Sequence, residues 1–319
     1  MPGFTTHYLF GMSTFHNAKD NQTISYIQQH PHAYAIGLQG PDVFFFQLTN
    51  YLHPKGNIGS RAHKASTGRL LYHLLDSRQL FSNETDRSIA AAYIVGFLGH
   101  YLLDSTCHPY IYAKSHYGTY RKNYYSHHMY LETDIDTELL SYYKELAPSE
   151  FFQHQAVSLS KREQHVVAKI LYHAFRKTFT DRHFSYHGMR RTLRAFYRNL
   201  ALLHDNTGKK KILVRSLEQL FFRGPRISVL IPSDHYSFTV DPLNLRHFRW
   251  RNPWKPELSS HQSFFELLDQ ARASYREVIE QTDVLFSLPP RTATYEKQLA
   301  LLYRTLGNRS FHSGLPLES

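Results

Sequence analysis

The sequence predicts an all-α protein built as a multi-helix bundle. Several segments carry apolar residues at helical spacing, whereas the alternating pattern of strands is scarce and 227–231 is its best short candidate. Residues 88–107 are apolar on nearly all sides, which is typical of a central buried helix. We predict helices over roughly 21–30, 60–80, 85–107, 123–145, 160–179, 187–204, 210–222, 261–283 and 291–305.

Composition limits the kinds of site that such a bundle can carry. The chain has 319 residues, of which 42% are hydrophobic and 20% charged, and we expect one domain over 1–319. The only cysteine is Cys107, which excludes an intrachain disulfide and a zinc site built from paired cysteines. A metal site must therefore use histidine and carboxylate ligands, and the 22 histidines make that hypothesis the first to test.

Charge and hydropathy indicate the partners and the location. The chain has 37 Lys and Arg against 26 Asp and Glu, and its formal net charge of +11 favours anionic partners such as phosphates, lipid headgroups or nucleic acid. The amino terminus lacks the basic start and apolar run of a signal peptide. The longest apolar stretch, 89–103, is too short to span a bilayer. We therefore expect a cytoplasmic protein.

Three candidate ligands precede the central helix. His7 lies near the amino terminus, where removal of the initiator methionine would free the amino group of Pro2 to reach the same centre. Asp42 ends a Gly-Pro-Asp turn that opens into aromatic residues, and a carboxylate held there suits a ligand or a base, and equally a helix N-cap. His63 lies on the first turns of a predicted helix, where a single histidine also suits a surface or core position.

The strongest pattern lies in the central helix, where His100, Asp104 and His108 stand at i, i+4 and i+8. Each step of four residues rotates by only about 40°, so the three side chains share one stripe. Two imidazoles and a carboxylate on one buried helix can ligate a divalent metal such as zinc. Histidines that only form hydrogen bonds within the core are the alternative. Because Pro109 disfavours a helical conformation at His108, we expect the helix to end about there.

A second pair, His128 and Glu132, stands at i and i+4 on the next predicted helix. Such a pair is common on solvated faces, but two such motifs on neighbouring helices strengthen the metal hypothesis. An isolated buried carboxylate is costly unless it is paired or bound to metal. His127 has no partner at that spacing, and Asp134 should lie on the opposite side of the helix and tolerate substitution.

Between residues 224 and 259 five prolines and both tryptophans interrupt the helical pattern. A connection of this length is uncommon in compact domains. We expect it to wrap around the bundle with Trp250 and Trp254 as packed anchors. A lid or a membrane-contact loop is the alternative.

Taken together, these motifs resemble those of the zinc-dependent phospholipase C family, which is related to the single-strand-specific zinc nucleases. The matching features are His7, the Gly-Pro-Asp of Asp42, His63, the His-x3-Asp-x3-His-Pro run at 100–109 and the His-x3-Glu run at 128–132, in the family's order. The resemblance implies a multi-helix bundle of that type, with a trinuclear zinc cluster that hydrolyses phosphodiesters.

The resemblance also implies a role for each motif residue. The first zinc would be held by Asp42, His63, His100 and Asp104. The second would be held by His108, His128 and Glu132. His7 with the amino terminus would hold the third, bridged to the first by Asp104. Asp42 is in addition the candidate catalytic residue that steers the attacking water or accepts its proton. The secreted members differ in offering a mature amino-terminal tryptophan and a longer gap after the bridging aspartate.

The function expected from this resemblance is phospholipase C-like hydrolysis of a phosphodiester, with two or three Zn²⁺ ions, a phospholipid substrate and peripheral membrane contact. The alternatives are a non-catalytic helical module that binds lipid or protein, and a single-strand nuclease on the same scaffold. Basic stretches at 190–198, 208–215 and 246–251 interleave charge with aromatic or apolar residues, which suits nucleic acid or an anionic membrane. Solvated helix faces explain these stretches equally well.

Overall fold

Helices dominate the computed structural model of the protein, which describes residues 3–16, 18–46, 56–117, 124–221, 225–234 and 239–317. These residues form thirteen α-helices and one two-stranded sheet, so the all-α prediction is confirmed. The helices are α1 (Phe4–His16), α2 (Gln22–Gln29), α3 (Pro31–Gly37), α4 (Ile58–Ala62), α5 (Thr67–Asp76), α6 (Glu84–Lys114), α7 (Tyr124–Lys144), α8 (Gln153–Ala156), α9 (Lys161–Thr178), α10 (Tyr186–Leu203), α11 (Lys209–Phe221), α12 (Phe264–Ser287) and α13 (Ala293–Leu306). The strands are β1 (Trp250–Asn252) and β2 (Lys255–Ser260).

The longest helix, α6, forms the centre of the bundle. It begins at the Asn83 side chain, which accepts hydrogen bonds from the backbone N–H groups of Thr85 and Asp86. It packs against α2, α3, α9, α12 and β1, and most of its residues are buried. Neither α6 nor any other helix in the described ranges has the length and apolarity needed to cross a bilayer. The His100–Asp104–His108 stripe of α6 is fully buried.

The prediction that this helix ends near residue 107 is wrong, because α6 continues through Pro109 to Lys114. Proline has no N–H group to donate to the carbonyl of Ser105. Gly314, with φ of +64°, lies against that turn so closely that a Cβ atom would sit 2.4 Å from the Ser105 oxygen. Packing of this distant segment offsets the local preference of proline, and His108 stays on the helical stripe.

Helix α1 is not predicted by the sequence pattern, because its threonines, phenylalanines and glycine are poor helix formers. A side chain of α7 supports its first turn. The Asp136 carboxylate accepts hydrogen bonds from the backbone N–H groups of Thr5 at 3.0 Å and Thr6 at 2.8 Å, and from the Thr6 hydroxyl at 2.6 Å. Since α1 also packs against α6, α7 and α12, tertiary contacts supply what local propensity lacks. The short helix α3 likewise lies outside the predicted ranges.

The strand predicted at 227–231 is wrong, because Ser228–Leu230 form a turn of 3₁₀ helix. The backbone N–H groups of Arg226, Ile227 and Ser228 donate to the carboxylate of Glu218 and not to a neighbouring strand. A side chain has taken the place of a neighbouring strand, so the apolar run does not adopt the extended conformation of a strand.

The predicted irregular segment contains the β1–β2 hairpin, in which Trp250 pairs with Ser260 and Arg251 with Ser259. The Trp250 ring packs on Tyr110 of α6, with ring centroids 5.6 Å apart. The Trp254 ring packs on Tyr112 at 4.8 Å. Both tryptophans therefore anchor the hairpin on α6, as expected. Residues 222–224 and 235–238 lie outside the described residues, and a single domain over 1–319 stays a prediction.

Candidate metal centre

The eight predicted ligands meet at the middle of α6. Their side chains come from α1, from the 3₁₀ turn Gly40–Phe44, from the residue after α4, from α6 itself and from α7. None of these residues is more than 7% exposed. The described residues form three groups in which the potential ligand atoms all lie within 4.8 Å of one another. The groups are His7–Asp42–His100, His63–His100–Asp104 and His108–His128–Glu132.

Asp104 belongs to the second group and also contacts His7 of the first. Its Oδ1 atom is 3.2 Å from Nε2 of His7. Its Oδ2 atom is 3.2 Å from Nε2 of His100 and 3.3 Å from Nε2 of His63. The two oxygens of one carboxylate thus face different histidines, which is the arrangement that a bridging ligand between two cations requires.

Backbone carbonyl groups orient three of the histidine rings. In each ring Nδ1 lies next to a carbonyl oxygen, which can only accept a hydrogen bond. Nδ1 therefore carries the proton, and in a neutral ring the lone pair of Nε2 faces the centre. Metal-binding histidines are held in this way. The contacts are His63 to Gly59 at 2.7 Å, His100 to Leu38 at 3.1 Å and His108 to Phe311 at 2.6 Å.

Several buried polar atoms at this centre find no hydrogen-bond partner among the described residues. They are Nε2 of His7, His63, His100 and His108, Oδ1 of Asp42 and both carboxylate oxygens of Asp104. Lone pairs of imidazole and carboxylate that face one another in a dry site are costly unless a cation lies between them. This donor set of histidine nitrogen and carboxylate oxygen fits zinc.

The electrostatics of the cluster also favour a cation. Burial by itself lowers the pKa of His63, but the Asp104 and Asp42 carboxylates raise it to about 9. Burial would raise the pKa of Asp104, yet the neighbouring histidines, first His100 and then His108, hold that pKa well below its usual range. The Asp104 carboxylate is thus held as an anion deep in the core, where it stabilises positive charge.

The Gly-Pro-Asp turn brings Asp42 into the cluster. Gly40 has φ of +47°, and a Cβ atom on it would lie 2.3 Å from Cδ2 of His100. Only glycine permits this approach. Asp42 lies inside the turn and not at its N-cap, which is Gln39. Its Oδ1 atom is 3.1 Å from Nε2 of His63.

The third group joins α6 to α7. Nε2 of His128 lies 2.8 Å from Oε1 of Glu132, and Nδ1 of His128 lies 3.1 Å from the Tyr124 hydroxyl. The rings of His108 and His128 stack with centroids 6.4 Å apart. Burial lowers the pKa of both histidines well below its usual value. They are therefore neutral at physiological pH, as metal ligation requires.

His312, which the sequence pattern did not single out, lies between the groups. Its ring centroid is 5.5 Å from that of His63 and 5.7 Å from that of His108, and its Nδ1 atom is 3.2 Å from the Tyr112 hydroxyl. It belongs to the segment after α13, whose Phe311 carbonyl accepts the hydrogen bond from His108. A lone histidine without a partner at helical spacing gives no local signal, so only the path of the chain reveals it.

Three other expectations concern residues near the cluster. Asp134 lies outside the three groups, but the expectation that it would tolerate substitution has no support, because it is buried and accepts a hydrogen bond from the Thr239 backbone at 2.7 Å. His127 is exposed and takes no part in the groups formed by the described residues. Pro2, the predicted partner of His7, lies outside the described residues.

Comparison with known families agrees with this geometry. The profile of the family described as zinc dependent phospholipase C matches residues 6–192, which is more than half of the chain and includes all eight predicted ligands. Comparisons with curated proteins and with solved structures give no match. The match confirms the resemblance seen in the motifs: the chain belongs to the zinc-dependent phospholipase C family.

Proposed function

We propose that the protein hydrolyses phosphodiester bonds with two or three zinc ions, and that its substrate is a phospholipid. The observation that carries this proposal is the convergence of unpartnered nitrogen and oxygen atoms in one buried centre. Family membership supports the chemical class. Phospholipid is the favoured substrate because the family's own description names it.

The proposed ligand set follows the three groups of side chains. Asp42, His63, His100 and Asp104 would hold one ion, and His108, His128 and Glu132 a second. His7, whose Nε2 atom faces Oδ1 of Asp104, would hold a third ion. When bound, zinc polarises phosphoryl oxygens and lowers the pKa of water to about 7, which supplies a nucleophile at neutral pH.

The chain itself orients these ligands and keeps water out of the centre. Backbone carbonyls of Gly59, Leu38 and Phe311 fix the rings so that each Nε2 lone pair faces inward. The rings of Phe45 and Phe311 flank His63 at 5.7 and 5.0 Å. Such apolar walls lower the local dielectric constant, and every charge–charge interaction inside the site becomes stronger.

Asp42 is our candidate for the group that accepts the proton of the attacking water. Its side chain keeps 8% exposure, whereas that of Asp104 has none. A proton taken up by Asp42 can therefore pass to solvent, while Asp104 is enclosed by histidines. Asp104 would therefore act as a ligand only, whereas Asp42 would both bind zinc and transfer the proton.

A hydrolysis screen with a matched pair of variants tests the proposal. Zinc-loaded protein is incubated with phospholipid in detergent micelles and, separately, with single-stranded nucleic acid, and the products are measured. Glu132→Gln should lower phospholipid hydrolysis by at least about 100-fold, because Glu132 is a proposed ligand and the loss of an outer-shell partner alone costs up to that much. Glu138→Gln, at an exposed position of the same helix, should leave hydrolysis unchanged.

The products distinguish the alternatives. Release of diacylglycerol and a phosphorylated headgroup supports the phospholipase C-like reaction. Cleavage of the nucleic acid alone would identify a nuclease. Zinc-loaded protein that cleaves neither substrate would contradict the proposal and favour a binding module.

A further inference from the structure

Helix α11 has an inverted distribution of polar and apolar side chains. Its buried residues are the charged Lys211 and Glu218. Its exposed face carries five large apolar side chains that are between 46% and 77% exposed. They are Ile212, Leu213, Leu217, Leu220 and Phe221. Monomeric proteins seldom expose a contiguous apolar patch without a partner for it.

Hydrogen bonds to the buried charges fix this orientation. The Lys211 ammonium group donates to the carbonyl of Ile231 at 2.8 Å, and its backbone N–H donates to the Asp205 carboxylate at 2.8 Å. The Glu218 carboxylate accepts from the Ser228 hydroxyl at 2.5 Å. Rotating the helix to bury its leucines would expose these interactions to competition with water or break them. Hydrogen bonds within the fold therefore keep the apolar face of α11 directed outward.

The helix is attached to the element that carries part of the metal centre. The Ser126 and Thr133 hydroxyls of α7 each donate, at 3.1 Å, to a carbonyl of the 225–231 segment that holds α11. A cavity of about 90 Å³ is lined by Glu132 of α7 and by Leu230 and Pro232 at the end of this segment, together with residues of α1 and α10. Helix α11 is thus joined through this segment to α7, which carries the proposed zinc ligand Glu132.

Positive charge accompanies the apolar face. Lys209 and Lys210 begin α11, and the Lys210 ammonium group donates to the carbonyl of Leu202, whose own side chain is 69% exposed. The whole chain carries a formal net charge of +11. Two copies of the face would bring like-charged lysines together, whereas an anionic bilayer complements both their charge and the apolar side chains.

We propose that the exposed apolar face of α11 is a membrane-contact surface that binds anionic lipid bilayers. Binding of this face would bring α7, which the 225–231 segment joins to α11, to the membrane together with its proposed zinc ligands. The idea that this contact brings phospholipid substrate to the metal centre rests on the proposed function. Membrane binding by α11 does not depend on catalysis.

Co-sedimentation with vesicles tests the proposal on the full-length, zinc-loaded protein. The vesicles contain phosphatidylcholine alone or phosphatidylcholine with phosphatidylserine. Leu220→Ser should weaken binding to the anionic vesicles by roughly tenfold or more, because one exposed leucine no longer enters the bilayer. Leu301→Ser is the matched control, since Leu301 is 44% exposed on α13, and it should bind as the wild type does.

A variant that removes one positive charge separates the electrostatic contribution to vesicle binding from the apolar one. Lys209→Gln should weaken binding to anionic vesicles about fivefold and leave binding to neutral vesicles unchanged. Leu220→Ser should retain full hydrolysis of a soluble short-chain phosphodiester, because the side chain lies outside the metal centre.

Two results would overturn the proposal. Equal vesicle binding by Leu220→Ser and Leu301→Ser would show that α11 makes no membrane contact. A wild-type dimer that Leu220→Ser converts to a monomer, with vesicle binding unchanged, would assign the face to a second copy. Wild-type protein that binds vesicles through α11 but hydrolyses no phosphodiester would refute the proposed function and leave the membrane surface standing.

Discussion

Asp104→Asn removes a buried negative charge from the point where the histidines converge. The nearest ring nitrogens, those of His7 and His100, lie 3.2 Å from Oδ1 and Oδ2 respectively. At an effective dielectric constant of about 20, a unit positive charge at that distance interacts with the carboxylate by about 5 kcal/mol. This energy corresponds to roughly 10³–10⁴-fold in binding affinity. We therefore expect the variant to lose at least one zinc ion and several orders of magnitude in hydrolysis.

The assay combines elemental analysis with a chelator competition titration and a phosphodiester assay. Partial destabilisation should accompany metal loss, because metal affinity is coupled to folding. Asp269→Asn is the matched control, since Asp269 is an exposed helical residue whose ion pair with Arg272 contributes at most about 1 kcal/mol. An Asp104→Asn variant that is folded and keeps full zinc content and activity would refute the cluster.

Three further predictions follow from neighbouring contacts. Gly40→Ala should reduce zinc content, measured by elemental analysis, because the new methyl group would displace the ring of His100. His312→Gln should keep its zinc but lower turnover by roughly tenfold or more in a steady-state assay, since the ring adjoins the ligand groups without joining them. Burial raises the pKa of Asp136 from 3.8 to about 6, so the stability that its neutral form contributes is present below about pH 4 and is lost as the pH rises through 6. In urea unfolding, the wild type should lose up to about 3 kcal/mol of stability between pH 4 and pH 7 through this group, and Asp136→Asn should lack that loss.

The parts of the site that could be predicted are those encoded by local spacing. His100, Asp104 and His108 meet because residues four apart share one face of a helix. His128 and Glu132 pair on α7 for the same reason, at 2.8 Å. Helical periodicity depends only on neighbouring residues, so a single sequence reveals it.

The parts that could not be predicted depend on contacts between distant segments. Helix α1 starts where Asp136, 131 residues beyond Thr5, accepts its first N–H groups. Helix α6 passes through Pro109 because Gly314 packs against that turn. His312 reaches the cluster only because the chain returns after α13. None of these contacts leaves a periodic pattern in the sequence.

The central claim is that the unpartnered atoms around Asp104 and the His108 group hold zinc. Elemental analysis of protein purified without chelator tests this most directly. The ligand groups formed by seven side chains of α6, α7 and their neighbours predict at least two zinc equivalents per chain, and His7 predicts a third. Fewer than one equivalent in protein never exposed to chelator would contradict the account.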